Sequence, residues 1–116
     1  SDQCIGVISL GTDNMLKDLA VLKNDERMGE WRLGRNDTIK HTGDFDGDGR
    51  REFVITSPWG FGVCGLRDSG LSNLAMHKYK TWLGKWFLRP EDVLLGAGAF
   101  TAGSKTGLLV RSGLVE

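Results

Sequence analysis

The sequence predicts an all-β protein made of repeated sheets of short strands. Seventeen glycines and only two prolines among 116 residues indicate many tight turns, which suit short strands better than long helices. Apolar runs are short and bounded by glycine or polar residues, as in the run 53–55. The chain also repeats itself, because Trp31 and Trp86 stand 55 residues apart within similar segments.

The repeat covers most of the chain and keeps both identities and apolar positions. At the 55-residue offset the apolar run 53–55 falls on 108–110, and an offset of 56 aligns 6–10 with 62–66, so one insertion separates the copies there. Matched tryptophans and apolar runs in one register indicate a real duplication. The identical pairs include Gly29 and Gly84, Trp31 and Trp86, Leu33 and Leu88, Asp37 and Asp92, Gly43 and Gly98, Phe45 and Phe100, and Ser57 and Ser112.

Strands are expected in chain order from the turn signals and the repeat. One segment, 14–27, also has the three-to-four spacing of a helix, but its match to the second copy favours a strand. The expected strands lie near 5–10, 18–22, 39–45, 52–56, 62–66, 73–77, 94–100 and 107–111.

Four short strands led by a tryptophan are typical of a β-propeller blade. The chain then divides into the second half of a blade (1–28), a complete blade (29–83) and the first half of a blade (84–116). A ring needs at least about four blades. We therefore expect the ring to close only by homo-oligomerisation, with half blades pairing across subunits, or within a longer chain, and we favour assembly of copies.

Charge and hydropathy exclude several classes of partner. Fifteen basic and fifteen acidic side chains cancel, so no global field attracts nucleic acid or an anionic membrane. No apolar run approaches the roughly 20 residues of a membrane helix, and no signal peptide is expected in this chain. Cys4 and Cys64 can form a disulfide in an oxidising compartment or remain two buried thiols.

The segment 44–52 has the composition of a calcium-binding loop. Asp44, Asp46 and Asp48 alternate, which lets their carboxylates turn towards one ion, and clustered aspartates repel one another without a cation. Glu52 and the backbone carbonyl of Arg50 complete the expected ligand set. The alternative is a solvated acidic turn, since Asp-Gly pairs are common in hairpins.

The surroundings of this loop argue against an ordinary EF-hand. Gly47 and Gly49 permit the turns needed to wrap an ion. An EF-hand requires a glutamate at loop position twelve followed by a helix, but Ile55 occupies that position in a β-branched and aromatic segment. The loop is therefore expected to join two strands.

The second copy has lost the acidic residues of this loop. The places of Asp44, Asp46, Asp48 and Glu52 are taken by Ala99, Thr101, Gly103 and Gly107. We expect one ion per chain, with a structural role.

The stretch GDFDGDGRREFVITSPWG at 43–60 resembles the FG-GAP or VCBS repeat of integrin alpha-chain propellers and of many secreted bacterial and fungal propellers. The resemblance implies calcium bound by Asp44, Asp46, Asp48, Glu52 and the Arg50 carbonyl, although the family usually has aspartate at the position of Glu52. The opener GEWRL is similar to repeats of fungal seven-bladed lectins of the Psathyrella type. These resemblances imply an extracellular protein that binds sugar between adjacent blades.

These residues bear on three classes of function. The first is a non-catalytic calcium-stabilised module that binds a ligand such as carbohydrate, with Trp59 stacking on a sugar ring or packing against the next blade. The second is a structural element that only builds the ring. An enzyme is not expected, because His41 and His77 lie in no catalytic motif and GAGAFTAGSKTG lacks the spacing of a phosphate-binding loop.

Overall fold

The computed structural model describes residues 4–68, 70–100, 103 and 105–113. These residues form twelve strands and no helix, so the predicted all-β class is confirmed. The strands are β1 (Cys4–Leu10), β2 (Leu16–Lys23), β3 (Arg27–Met28), β4 (Trp31–Arg32), β5 (Thr38–Gly43), β6 (Glu52–Ser57), β7 (Gly60–Arg67), β8 (Gly70–Lys78), β9 (Thr81–Leu83), β10 (Trp86–Leu88), β11 (Val93–Gly98) and β12 (Gly107–Arg111). Among the described residues there is no helix able to cross a membrane.

A four-stranded antiparallel sheet, in the order β5-β6-β7-β8, occupies the middle of the chain. Its central strands suit burial on both faces, because β6 is β-branched and aromatic and both Val54 and Ile55 are buried. Pro58 and Trp59 form the two-residue turn between β6 and β7, with Ser57 opposite Gly60. Each of the four strands predicted for the complete copy is present.

Four two-stranded antiparallel sheets flank the central sheet, and none of the sheets closes on itself. β1 pairs with β2 and β11 pairs with β12, as the repeat predicts. The helical alternative for 14–27 is wrong, because that segment contains β2 and the start of β3. The hairpins β3-β4 and β9-β10, which carry Trp31 and Trp86, were not predicted as strands.

The two copies fold alike in detail. Nε1 of Trp31 donates to Oδ2 of Asp37 at 3.0 Å, and Nε1 of Trp86 donates to Oδ2 of Asp92 at 2.9 Å. Gly29 and Gly84, which precede these tryptophans by two residues, have φ of 61° and 63°. The sequence duplication is therefore also a duplication of local geometry.

The bulges repeat in the same way. The β1-β2 register shifts between Val7 and Ile8, and the β7-β8 register shifts between Val63 and Cys64, which are the aligned positions. A bulge is a specific local feature of a strand pair, so its recurrence supports the equivalence of β1 with β7.

The core lies between the β1-β2 sheet and the central sheet. Trp31, Met28 and Leu33 enter it from the β3-β4 region, and Phe53 and Leu71 pack around them. The remaining members of the cluster are Ile5, Leu22, Ile55 and Cys64. β2 contacts β8 and β11 contacts β5, so sheets that follow one another in the chain lie side by side.

The fold is broad and thin, and it exposes much apolar surface. Its principal extents are 54 × 39 × 22 Å and its radius of gyration is 15.3 Å, against about 13 Å expected for a compact domain of this length. Large apolar side chains are exposed on both two-stranded end sheets, including those of Ile8, Leu16 and Leu109.

The two cysteines do not pair. Cys4 is exposed on β1 and Cys64 is buried in β7. Burial of the Cys64 thiol raises its pKa from 9.0 to about 11.

Candidate metal site

The acidic loop joins β5 to β6, as predicted. Gly47 and Gly49 have φ of 77° and 87°, a conformation that favours glycine. These two residues turn the backbone so that successive amides and carboxylates face the inside of the loop. Gly47 and Gly49 therefore form the turns of the loop, as the sequence predicts.

Asp44 organises the loop through its carboxylate. Its Oδ1 accepts hydrogen bonds from the amides of Gly47 at 2.9 Å and Asp48 at 3.1 Å. Its Oδ2 accepts from the amide of Gly49 at 2.9 Å. Three amides thus hold this carboxylate towards the interior of the loop.

Glu52 closes the loop from the first position of β6. Its Oε1 accepts hydrogen bonds from the amides of Phe45 at 2.7 Å and Asp46 at 3.3 Å. The residue is 1% exposed, and its Oε2 is buried without a hydrogen bond among the described residues. A nearby positive charge offsets the desolvation of such an oxygen, and either the Arg67 guanidinium, 3.5 Å away, or a metal ion can supply it.

Four carboxylates converge on one point. Asp44, Asp46, Asp48 and Glu52 each offer an oxygen that lies within 4.8 Å of the others. Calcium–oxygen distances are about 2.3–2.6 Å, so two ligands on opposite sides of one ion are about 5 Å apart. This cluster can hold a metal ion, and the Glu52 oxygen that accepts no hydrogen bond is available as a ligand.

Arg67, at the end of β7, also reaches this cluster. Its Nη2 lies 2.7 Å from Oδ2 of Asp46, 3.8 Å from Oδ2 of Asp48 and 3.5 Å from Oε2 of Glu52. Glycine at position 65 leaves room for the side chains of Arg67 and Glu52, because a Cβ there would lie 2.9 Å from both Arg67 Nη1 and Glu52 Cγ. One guanidinium therefore offsets part of the negative charge.

The surroundings of Asp48 favour the ionised form of its carboxyl group. The hydrogen bond from the Arg50 amide, at 2.8 Å, lowers the pKa of Asp48, and the side chains of Asp46 and Arg50 lower it further. Since metal ligands must be deprotonated, this arrangement keeps Asp48 ready to coordinate.

The second sequence repeat of the same chain holds the base of the loop. The amide of Asp44 donates to Oγ1 of Thr106 at 3.0 Å, and the amide of Thr106 donates to the carbonyl of Asp44 at 2.8 Å. Thr106 lies just before β12, so the acidic loop is fastened to the next two-stranded sheet.

The predicted ligands have different outcomes. The four carboxylates are brought together, whereas the proposed coordination by the Arg50 carbonyl stays a prediction. In the second copy, Ala99 and Gly103 bring no carboxylate to the equivalent loop, and Thr101 lies outside the described residues.

Sequence reasoning missed Arg67 and Thr106. Arg67 is placed by the register of β6 with β7, in which Glu52 lies opposite Gly65 and Arg67 follows on the same face, and no local sequence pattern signals this.

Trp59, the candidate sugar-stacking residue, lies apart from the acidic loop in the β6-β7 turn. Its ring packs on that of Trp31 with centroids 4.6 Å apart, yet Trp59 remains 40% exposed. His41 lies 2.9 Å, through Nε2, from the carbonyl of Leu94 and so links β5 to β11. His77 contacts Oγ1 of Thr81 at 2.9 Å.

Comparison of the chain with protein-family models, with curated proteins and with solved structures finds no match in any of the three. The resemblance to FG-GAP or VCBS repeats therefore rests on the residues at 43–60 alone.

Proposed function

We propose that this chain is a non-catalytic calcium-binding repeat module whose ion stabilises a β-propeller blade. The observation that carries the proposal is the convergence of four carboxylates, one of which has a buried oxygen without a hydrogen bond. The ion would connect the β5-β6 loop to the start of β6 and lower the repulsion among the carboxylates.

The donor set favours calcium over other common metals. All four side chains offer oxygen, and no cysteine or histidine joins the cluster of Asp44, Asp46, Asp48 and Glu52, which argues against zinc or copper. A loop of flexible carboxylates suits the variable geometry of calcium better than the strict octahedron of magnesium. One ion per chain follows, because the described part of the second loop lacks acidic ligands.

The repeated sheet supports the blade assignment. The central sheet has four antiparallel strands, and β11-β12 and β1-β2 correspond to its first and last pairs. We assign 29–83 to a complete blade, 1–28 to the second half of a blade and 84–116 to the first half. Copies of this chain, or further repeats of a longer chain, would complete a ring.

Calcium titration of chelator-stripped protein tests this proposal. We expect one ion per chain for the wild type and loss of binding in Asp46→Ala. Asp68→Ala is the matched control, since Asp68 is an exposed aspartate outside the cluster. Equal binding by Asp46→Ala and the wild type would reject the assigned site.

Carbohydrate binding is a second candidate function, supported by the exposure of Trp59. A partly exposed tryptophan ring held by a second ring presents a rigid apolar face to a sugar. The resemblance of the sequence to secreted propellers and fungal propeller lectins implies a secreted, lectin-like module. We expect calcium-loaded protein to bind immobilised glycans, with loss in Trp59→Ala and retention in Trp82→Ala, whose ring is also exposed. Absence of glycan binding by folded wild type would favour a purely structural blade.

A further inference from the structure

Among the described residues, β1 and β12 each have one edge without a neighbouring strand. β1 pairs only with β2, and β12 pairs only with β11. In the central sheet their equivalents, β7 and β6, pair with each other. The open edges of β12 and β1 are therefore equivalent to the two edges that pair between β6 and β7 in the central sheet.

The central sheet specifies the register of the missing pairing. Val54 lies opposite Val63, and Ser57 lies opposite Gly60. The equivalent residues are found by adding 55 to the residue numbers of β6, which gives β12, and subtracting 56 from those of β7, which gives β1. Leu109 then lies opposite Val7, and Ser112 lies opposite Cys4.

A tryptophan and a glycine complement each other across these edges. Trp31 is fully buried over β7, where a Cβ on Gly62 would lie 2.9 Å from its Cζ3. Its counterpart Trp86 is 39% exposed. Gly6, the counterpart of Gly62, has no side chain over it in the described part of the chain, where a Cβ would meet only the carbonyl oxygen of Ala20, at 4.0 Å. The chain carries an uncovered ring and an uncovered glycine seat.

The apolar residues at these edges show the same contrast. Val54 is fully buried, whereas its counterpart Leu109 is 48% exposed. Cys64 is fully buried, whereas its counterpart Ile8 is 64% exposed. Positions that are core in the complete sheet are open to solvent at both ends of the chain.

We infer that β12 of one copy of this chain pairs antiparallel with β1 of a second copy, with Trp86 packing over Gly6. This inference rests on the proposed blade. The contact is heterologous, so it closes when the copies form a ring. Propellers of four to eight blades correspond to two to four copies at two blades each, or about 25 to 51 kDa for this 12.7 kDa chain.

A disulfide between copies tests the register. In Ser112→Cys, the new thiol lies opposite Cys4 of the next copy, within the range that a disulfide spans in paired strands. With oxidised glutathione as the electron acceptor, we expect covalent oligomers that disappear under reducing conditions. Lys17→Cys, on the exposed strand β2, is the control. Crosslinking of Ser112→Cys no greater than that of the control would overturn the inference.

A substitution at the glycine seat tests the packing. Gly6→Val fills open space within one copy, so the monomer fold is retained, but the added methyl groups block Trp86 of the partner. Gly96→Val is the control, because the space there is also open and the equivalent position in β5 carries His41. We expect the oligomer mass in light scattering to fall to that of a monomer only for Gly6→Val. An unchanged mass for Gly6→Val, or a monomeric wild type, would contradict the inference.

Calcium titration of the same variants separates this inference from the proposed function. Crosslinks without calcium binding would leave the pairing intact and reject the metal module. Calcium binding without crosslinks would retain the metal module and reject the pairing between copies, as expected if further repeats of a longer chain cover these edges.

Discussion

Nη2 of Arg67 lies 2.7 Å from Oδ2 of Asp46, so a side chain from β7 supplies positive charge to a loop between β5 and β6. The same guanidinium lies within 4.0 Å of Asp48 and Glu52. Arg67 therefore stabilises the acidic cluster without a metal ion and would repel an ion bound there. The electrostatics of the site depend on both cations.

Replacing Arg67 by glutamine changes stability and affinity in opposite directions. The calcium-free protein should lose stability, because Asp46 and Glu52 then lose the guanidinium that lies beside them and Asp48 keeps only that of Arg50. Calcium should bind about tenfold more tightly, because the repulsion between guanidinium and ion is removed. Titration calorimetry and thermal melts with and without calcium measure both effects. Arg50→Gln is the control, since its guanidinium contacts only Asp48 among these carboxylates. Weaker calcium binding in Arg67→Gln would contradict this assignment.

Glu52→Gln separates the metal role of the side chain from its structural role. Glutamine keeps an acceptor for the Phe45 amide but removes the negative charge of the buried oxygen. We expect the calcium-free variant to be as stable as the wild type or about 1 kcal/mol more stable. Calcium affinity should fall more than tenfold. Chemical denaturation in chelator and in calcium gives both numbers, and a large loss of stability in chelator would indicate a purely structural glutamate.

Burial of Cys64 predicts a pH dependence of stability. Because the pKa of its thiol is raised from 9.0 to about 11, the folded state favours the protonated form. This contribution is fully present below pH 9 and is lost as pH rises to 11, a change of up to about 3 kcal/mol. Urea denaturation across this range should show a steeper fall for the wild type than for Cys64→Ala. Parallel curves would mean that the thiol titrates near its ordinary pKa.

His41→Ala tests whether neighbouring sheets are joined by side chains. Its ring lies 2.9 Å from the Leu94 carbonyl, so its removal leaves that contact between β5 and β11 unmade. We expect a loss of about 1 kcal/mol in the free energy of unfolding. His77→Ala serves as the control, because its contact with Thr81 is exposed and local. Equal effects of the two substitutions would argue against a role for His41 between the sheets.

The sequence allowed the strand content and the acidic cluster to be predicted, because both depend on local signals. Alternating aspartates with glycines at positions 47 and 49 favour a wrapped loop, and the 55-residue repeat transferred strand positions from the complete copy to the ends of the chain. The short hairpins β3-β4 and β9-β10 were missed because strands of two or three residues leave no periodic pattern. Their tryptophans, Trp31 and Trp86, are predicted from the repeat as residues of the core or of the contact between blades, without a strand assignment.

Contacts that depend on the arrangement of sheets could not be predicted. Arg67 lies 21 residues from Asp46 in sequence, and Thr106 lies 62 residues from Asp44. Both contacts require the register of β6 with β7 or the placement of one sheet beside the next, which follow from tertiary packing. The unequal burial of Trp31 and Trp86 likewise depends on which strands surround each ring.

A crystal structure of the calcium-loaded protein, measured at a wavelength where calcium scatters anomalously, tests the central claim most directly. We predict one anomalous peak per chain, about 2.3–2.6 Å from oxygens of Asp44, Asp46, Asp48 and Glu52. The same map tests the Arg50 carbonyl as a further ligand. A calcium-soaked crystal with no peak in this loop, or with its only peak elsewhere on the chain, would contradict the account.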